Sequence, residues 1–304
     1  MTDSPYAVRR PSRSLFLDVR GLRQHVLQWG DASLATPQRP PLFMVHGWMD
    51  VAASFQFVVD ELPSDRLVFA LDWRGFGLSE SPAADSYWFP DYLGDLDAVL
   101  DALAPGRAVD LLGHSMGGNV VMIYAGVRPE RVRRLVNLEG FGLPESRPHH
   151  APKRYRQWLD ELRTPMQLRP YDSLDAVAER LVKNNPRLPP ERAAWLAAHW
   201  AERRDDGQWH ILGDPAHKRV NPQLYRKDEV LECWKRITAP VLWVEGDLTD
   251  VAKWWGDRYS RAQFDERLAV VPAVERVMLK DCGHMLHLDQ PQALAQAIER
   301  FLAG

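Results

Sequence analysis

The sequence predicts an α/β fold: a mostly parallel sheet with helices on both faces, interrupted by a helical insertion. Three observations lead there. Short, wholly apolar runs alternate with segments of helical periodicity through the first half of the chain, as expected for parallel strands buried on both faces by their crossover helices. One of those runs passes through Gly113-His114-Ser115-Met116-Gly117 directly into an apolar helix. The alternation then stops near residue 143 and resumes near residue 237. The chain therefore reads as a sheet domain in two pieces, 1–143 and 237–304, with residues 144–236 inserted between them.

Taken in order, residues 15–19 and 24–29 read as a hairpin turning at Arg20-Gly21. Residues 42–45 form a four-residue apolar run between prolines and His46-Gly47, a buried strand. Residues 52–62 have helical spacing and stop at Pro63. Residues 67–71 are the next strand. Leu93, Leu96, Val99, Leu100 and Leu103 place a helix over 92–103, which Pro105-Gly106 ends. Strand, helix and strand follow at 109–112, 117–125 and 132–138. Residues 144–152 are rich in Pro, His, Arg and Ser, a linker-like stretch. Beyond it the helical segments are 153–162, 174–183 and 191–204. Strands return at 240–245 and 277–279, and Pro291 opens a last helix to 302, where its missing N–H costs little.

Composition narrows the partners. The chain has 304 residues, 45% hydrophobic and 26% charged, with a net charge of -3. Neither a nucleic-acid surface nor an anionic membrane is indicated. Arg128, Arg131, Arg133 and Arg134 cluster, and read as a solvated helix end leading into a strand. Cys233 and Cys282 make no disulfide framework and no zinc spacing. Residues 1–14 are polar, and no apolar run is long enough to span a bilayer. A cytoplasmic protein without stable membrane insertion is the expectation, as a monomer or homodimer acting on a small molecule. The 12 tryptophans are numerous, several of them between Trp158 and Trp255; such residues fill cores and also line apolar pockets.

Chemistry centres on Ser115. A strand, a glycine-flanked turn and a helix are the setting of a nucleophile elbow, which exposes the hydroxyl and aims helix N–H groups at a developing oxyanion. A plain strand-to-helix turn is the alternative, and the flanking strand and helix favour the elbow. The hydroxyl needs a base. His284, in Asp281-Cys282-Gly283-His284, follows the last strand and so opens at the sheet edge where Ser115 lies. His46 and His114 sit in glycine turns and are read as orienting backbone, and His287 as packing or capping. His149, His150, His199, His210 and His217 are read as surface or hydrogen-bonding residues. A carboxylate must orient the imidazole: Asp247 and Asp250 follow the strand at 240–245, and Glu139 follows the strand at 132–138. The oxyanion donors are the backbone N–H groups of Met116 and Trp48.

Four segments, in order, give the chain a close resemblance to the α/β-hydrolase superfamily: His46-Gly47-Trp48-Met49-Asp50, Asp72-Trp73-Arg74-Gly75-Phe76-Gly77-Leu78-Ser79, Gly113-His114-Ser115-Met116-Gly117-Gly118, and Gly283-His284. The resemblance implies an eight-stranded, mostly parallel sheet and makes 144–236 a helical cap. Residues 209–215 are similar to cap segments of serine-hydrolase-like members. The chain departs from the family at the acid. Many members carry Asp three residues after the glycine closing the seventh core strand; here that glycine resembles Gly246, and three residues on stands Thr249. A subset places the acid one residue later, which corresponds to Asp250. Haloalkane dehalogenases use a Glu after the sixth strand, and Glu139 holds a comparable place. The order of preference is Asp250, then Glu139, then Asp247.

Ser at position 115 excludes the aspartyl chemistry of the family's dehalogenases and epoxide hydrolases. The expected function is hydrolysis of a carboxylic ester, thioester or lactone of a small apolar substrate through an acyl-enzyme, with the triad Ser115, His284 and Asp250, no metal and no organic cofactor. A cofactor-free C–C hydrolase or perhydrolase would use the same triad. In another class, a ligand-binding homologue would keep the fold without turnover.

Overall fold

The sheet starts with a hairpin. β1 (Arg13–Val19) and β2 (Leu22–Trp29) pair antiparallel around Arg20-Gly21. The φ angles there, 51° and 76°, are the left-handed pair that a two-residue hairpin turn requires. The computed structural model describes residues 5–304, so residues 1–4 of the polar N-terminal stretch lie outside the described residues.

β3 (Leu42–Val45) follows, then a 3-10 turn at Ala52–Phe55 running into α1 (Gln56–Val59). Next come β4 (Val68–Leu71), α2 (Phe89–Leu103), β5 (Val109–His114), α3 (Met116–Val127) and β6 (Val132–Leu138). Between β6 and the next sheet strand lie α4 (Ala151–Leu162), α5 (Leu174–Asn184), α6 (Pro190–Trp200), a small hairpin of β7 (Ala201–Arg203) and β8 (Trp209–Ile211), and α7 (Lys227–Trp234). The chain closes with β9 (Val241–Gly246), α8 (Ala252–Trp255), α9 (Arg261–Leu268), β10 (Val274–Leu279), α10 (Leu286–Asp289) and α11 (Pro291–Ala303).

Eight strands form one sheet in the order β1-β2-β4-β3-β5-β6-β9-β10. β3 to β6, β9 and β10 run parallel, and only the β1-β2 hairpin and its junction with β4 are antiparallel. Strand periodicity sorts the core. Leu42, Met44, Leu112, Val136, Leu242 and Val244 face one layer. Phe43, Val45, Leu111, Leu135, Val241 and Trp243 face the other, against α2, α3 and α9. Successive side chains point to opposite faces, so every central strand feeds both layers and reads as a continuous apolar run.

Three expectations change. The helix expected over 191–204 ends at Trp200, and Ala201–Arg203 pairs with Trp209–Ile211 instead. Gly207 at φ 79° turns the chain back, and the Asp205-Asp206-Gly207 signal marks a hairpin. α7 falls within the stretch read as insertion, yet Trp234 is buried in the apolar layer with Val120 and Val121 of α3. Among the arginines read as solvated, Arg133 reaches the buried Asp110 at 2.7 Å and Arg131 pairs with Asp101. Among the described residues no helix is long and apolar enough to cross a membrane.

Candidate active site

β5 delivers Ser115 to the carboxyl edge of the sheet. Ser115 has φ 51° and ψ -112°, a backbone region that costs a non-glycine residue of order 1–3 kcal/mol. The strand before and the helix after hold it there. Its N–H donates to Leu138 O at 2.8 Å, and its carbonyl accepts from Asn119 N–H at 3.0 Å. Gly117 makes the turn possible: a Cβ there would lie 2.4 Å from Val45 O.

His284 bridges Ser115 and a carboxylate. Its Nε2 is 3.0 Å from Ser115 Oγ, and its Nδ1 is 2.7 Å from Glu139 Oε2. A carboxylate facing Nδ1 holds the proton there and leaves the Nε2 lone pair to accept from the serine hydroxyl. The Glu139 side chain is fully buried. Its other oxygen, Oε1, accepts from Gly246 N–H at 2.8 Å, so both carboxylate oxygens are engaged. Glu139 also takes a positive φ of 53°, which turns it from the end of β6 across to β9.

The expected acid is therefore corrected in position. Asp250 does not meet His284; it is exposed and accepts from Ala252 N–H at 3.0 Å, at the start of α8. Asp247 lies between these cases. It is exposed, and its Oδ1 accepts from Cys282 N–H at 3.1 Å, a bond that holds its carboxyl below the usual range. The reason is space at Gly246. A Cβ on Gly246 would lie 2.2 Å from Cys282 O, so β9 runs hard against the His284 loop, and its following residues turn outward. The room beside His284 Nδ1 is filled by the side chain arriving from β6.

The other histidines settle into supporting positions. His114 is buried and its Nε2–H donates to His284 O at 2.8 Å. Burial, reinforced by His287 and His284, pushes it well below the usual imidazole range, so it is neutral. His46 is neutral for the same first reason; its Nε2 accepts from Trp73 N–H at 3.1 Å. His287 packs on Phe55 and lies 3.4 Å from Asp50 Oδ2. Burial opposes ionisation of Asp50, but the His287 imidazole and Val51 N–H outweigh it and hold its carboxyl below the usual range. Cys233 and Cys282 are both free thiols, and burial pushes Cys282 up to about 12.

A cavity of ≈ 610 Å³ opens over Ser115 and His284. Trp48, Trp88, Phe89, Phe141, Trp254 and Trp255 supply most of its apolar wall. Trp254 meets the His284 ring edge-on, with centroids 4.5 Å apart. Trp48 and Met116, the residues expected to give the oxyanion N–H groups, both line it. The tryptophans of this wall come from loops at the sheet edge and from α8; Trp158, Trp195, Trp200 and Trp209, between β6 and β9, stay outside it.

Sequence reasoning undervalued His217. It is sandwiched between Phe76 and Tyr87 at 3.7 Å on each side. Tyr92 Oη donates to its Nδ1 at 3.2 Å, and its Nε2 donates to Arg74 O at 3.2 Å. Burial lowers its pKa to about 3. The neighbouring residues stitch this segment onto the loop after β4: Asp214 N–H donates to Gly75 O at 2.7 Å, and Asp214 accepts from Tyr87 Oη at 2.6 Å. No spacing rule singles out such a histidine, though the flanking Gly213-Asp214-Pro215 turn marked its segment.

Comparison with known proteins identifies the fold family. A family model described as alpha/beta hydrolase fold matches residues 40–291. The chain is 27% identical over 274 residues to a serine hydrolase-like protein of Danio rerio, covering 86% of this chain and 81% of that one. It is 25% identical over 276 residues to Esterase YbfF of Escherichia coli (strain K12), covering 86% and 92%. Among solved structures, the thioesterase domain from the curacin biosynthetic pathway superposes with a TM-score of 0.81 at 26% identity, covering 95% of this chain and 99% of that one. The chain belongs to the α/β-hydrolase fold family and is a hydrolase.

Proposed function

We propose that this α/β hydrolase is a serine hydrolase that cleaves carboxylic esters or thioesters of small apolar acyl groups through an acyl-enzyme. One observation carries the reading: Ser115, His284 and Glu139 are linked at 3.0 and 2.7 Å beneath an aromatic cavity. Relatives named as an esterase and a thioesterase support acyl transfer.

Ser115 Oγ attacks the carbonyl carbon while His284 Nε2 takes its proton. The imidazolium that forms is stabilised by the buried Glu139 carboxylate. The N–H of Met116, at the start of α3, and the N–H of Trp48 receive the oxyanion; one such donor is worth roughly 10²–10³ in turnover. The leaving alcohol or thiol departs with the proton from His284. A water activated by the same imidazole then releases the acid. No step requires a metal or an organic cofactor.

Labelling with a fluorophosphonate tests this. The wild-type chain should label and hydrolyse p-nitrophenyl esters, and Ser115→Ala should do neither. Folded wild-type protein that fails to label would instead indicate a ligand-binding homologue. A panel pairing p-nitrophenyl esters with vinylogous diketones separates ester cleavage from C–C cleavage.

A further inference from the structure

The acyl pocket has a neighbour that the mechanism above does not use. A second cavity, of ≈ 660 Å³, is lined by Arg169, Arg180, Lys183 and Lys218, with Asp172 and Glu179 as its acids. Trp48 is common to the walls of both cavities. The indole N–H of Trp48 donates to His217 O at 3.2 Å. The two residues that follow His217 then divide: Lys218 lines the second cavity and Arg219 the first.

The charge of this cavity is out of keeping with the chain. The protein as a whole carries -3, whereas here four cations meet two acids. Several arginines elsewhere are engaged: Arg66 with Glu299, Arg74 with Asp95, Arg133 with Asp110 and Arg261 with Glu245. The four cavity cations are exposed, and among the described residues none of them makes an ion pair or a side-chain hydrogen bond. Like charges gathered in one concavity repel, and an anionic ligand relieves that repulsion. Tyr171, half-buried on the same wall, offers aromatic surface, which suits a stacked base. The volume lies within the ~300–1,000 Å³ of small-molecule sites.

We propose that the second cavity binds the phosphorylated nucleotide part of the leaving group, and that the substrate is an acyl thioester of a nucleotide-bearing thiol of the coenzyme A type. The inference rests on the serine-hydrolase reading for its chemistry. The acyl chain occupies the aromatic cavity, and the thiol arm passes Trp48. Ser115 Oγ forms the new C–O bond as the C–S bond breaks, and the thiolate takes the proton held by His284. Water then cleaves the acyl-enzyme, giving the free acid and restoring the Ser115 hydroxyl. Phosphates supply the three strong acceptor oxygens that unpaired Arg and Lys lack.

Two measurements decide it. In the first, adenosine 3′,5′-bisphosphate is titrated calorimetrically into Ser115→Ala, which needs no turnover. Binding should weaken roughly 10-fold in the added double variant Arg180→Glu/Lys183→Glu, and should weaken as salt rises. In Arg128→Glu, a charge reversal remote from the cavity, it should persist. In the second, hexanoyl-coenzyme A is compared with hexanoyl-N-acetylcysteamine, the same acyl group on an uncharged thiol. The wild type should favour the coenzyme A thioester in kcat/KM, and the double variant should lose that preference. Equal kcat/KM for the two thioesters, or bisphosphate binding indifferent to the double variant, overturns the proposal. Preference for a carrier-protein phosphopantetheine thioester without bisphosphate binding also overturns it. Bisphosphate binding that depends on Arg180 and Lys183, in a protein inactive on every ester, upholds the site and sinks the serine-hydrolase reading instead.

Discussion

The loops after β6 and β9 start alike and end differently. Each leaves a buried parallel strand at the same edge of the sheet, and each carries a carboxylate within four residues of the strand end. Glu139, after β6, is buried, with one oxygen on His284 Nδ1 and the other on Gly246 N–H. Asp247 and Asp250, after β9, are exposed and bond backbone N–H groups of their own surroundings. The lesson concerns neighbours. β6 lies between β5, which carries the serine, and β9, whose terminal glycine presses on the His284 loop. A side chain from β6 can therefore reach beneath the imidazole, whereas one from β9 is turned away by the close approach of its own backbone.

Glu139→Gln should break the contrast most sharply. The amide keeps an acceptor for Gly246 N–H but can face His284 Nδ1 with its NH₂, favouring the wrong tautomer; kcat should fall about 10⁴-fold in steady-state ester hydrolysis. Activity near the wild-type level would remove Glu139 from the relay. Glu139→Asp retains the charge and withdraws it by one methylene. It should cost about 10²-fold, the scale of a 1 Å misplacement, and show up in kcat more than in KM.

A pH series examines the wall opposite these loops. His217 has its pKa lowered to about 3 in the folded chain, against about 6.5 when unfolded. Between those values the unfolded chain binds the extra proton, so stability falls as pH drops through that window, by about 1.4 kcal/mol per pH unit for one such group. His114 and His46, also lowered by burial, act in the same direction. In chemical denaturation from pH 6.5 to 4, His217→Gln should have a shallower slope than the wild type; an equal slope would show that His217 does not resist protonation.

The β9 loop should respond more mildly. Asp247→Ala removes the acceptor for Cys282 N–H two residues before His284. A lower melting temperature with little change in kcat is expected, and a large loss of kcat with unchanged melting would give Asp247 a chemical role. Asp250→Asn should have the smallest effect, kcat staying within about two-fold of the wild type. A loss comparable to that of Glu139→Gln would reverse the comparison.

Much of this was legible in residue order. The buried runs at 42–45, 109–112 and 132–138 lie within the strands formed, because a strand covered on both faces has no polar face to interrupt it. Ser115 and His284 stood out because glycine turns at strand ends are local features, and the fold places their side chains 3.0 Å apart. The hairpin of β7 and β8 was hidden because three-residue strands carry no readable period. The tryptophans were countable but not sortable. Trp29, Trp73, Trp234 and Trp243 are buried in the core, while Trp48, Trp88, Trp254 and Trp255 line the cavity over the serine, and nothing local distinguishes the two sets.

The sequence by itself determined the sheet and singled out Ser115 and His284 as the candidate nucleophile and base, since each follows from short-range pattern and the chemistry of one side chain. Tertiary structure decided which carboxylate faces His284, which aromatics line the cavity over Ser115, and that Arg169, Arg180, Lys183 and Lys218 share one cavity. Those outcomes depend on distances between segments far apart in the chain. The contact of Gly246 with Cys282, which excludes one carboxylate and leaves room for another, is a packing event that no single segment encodes.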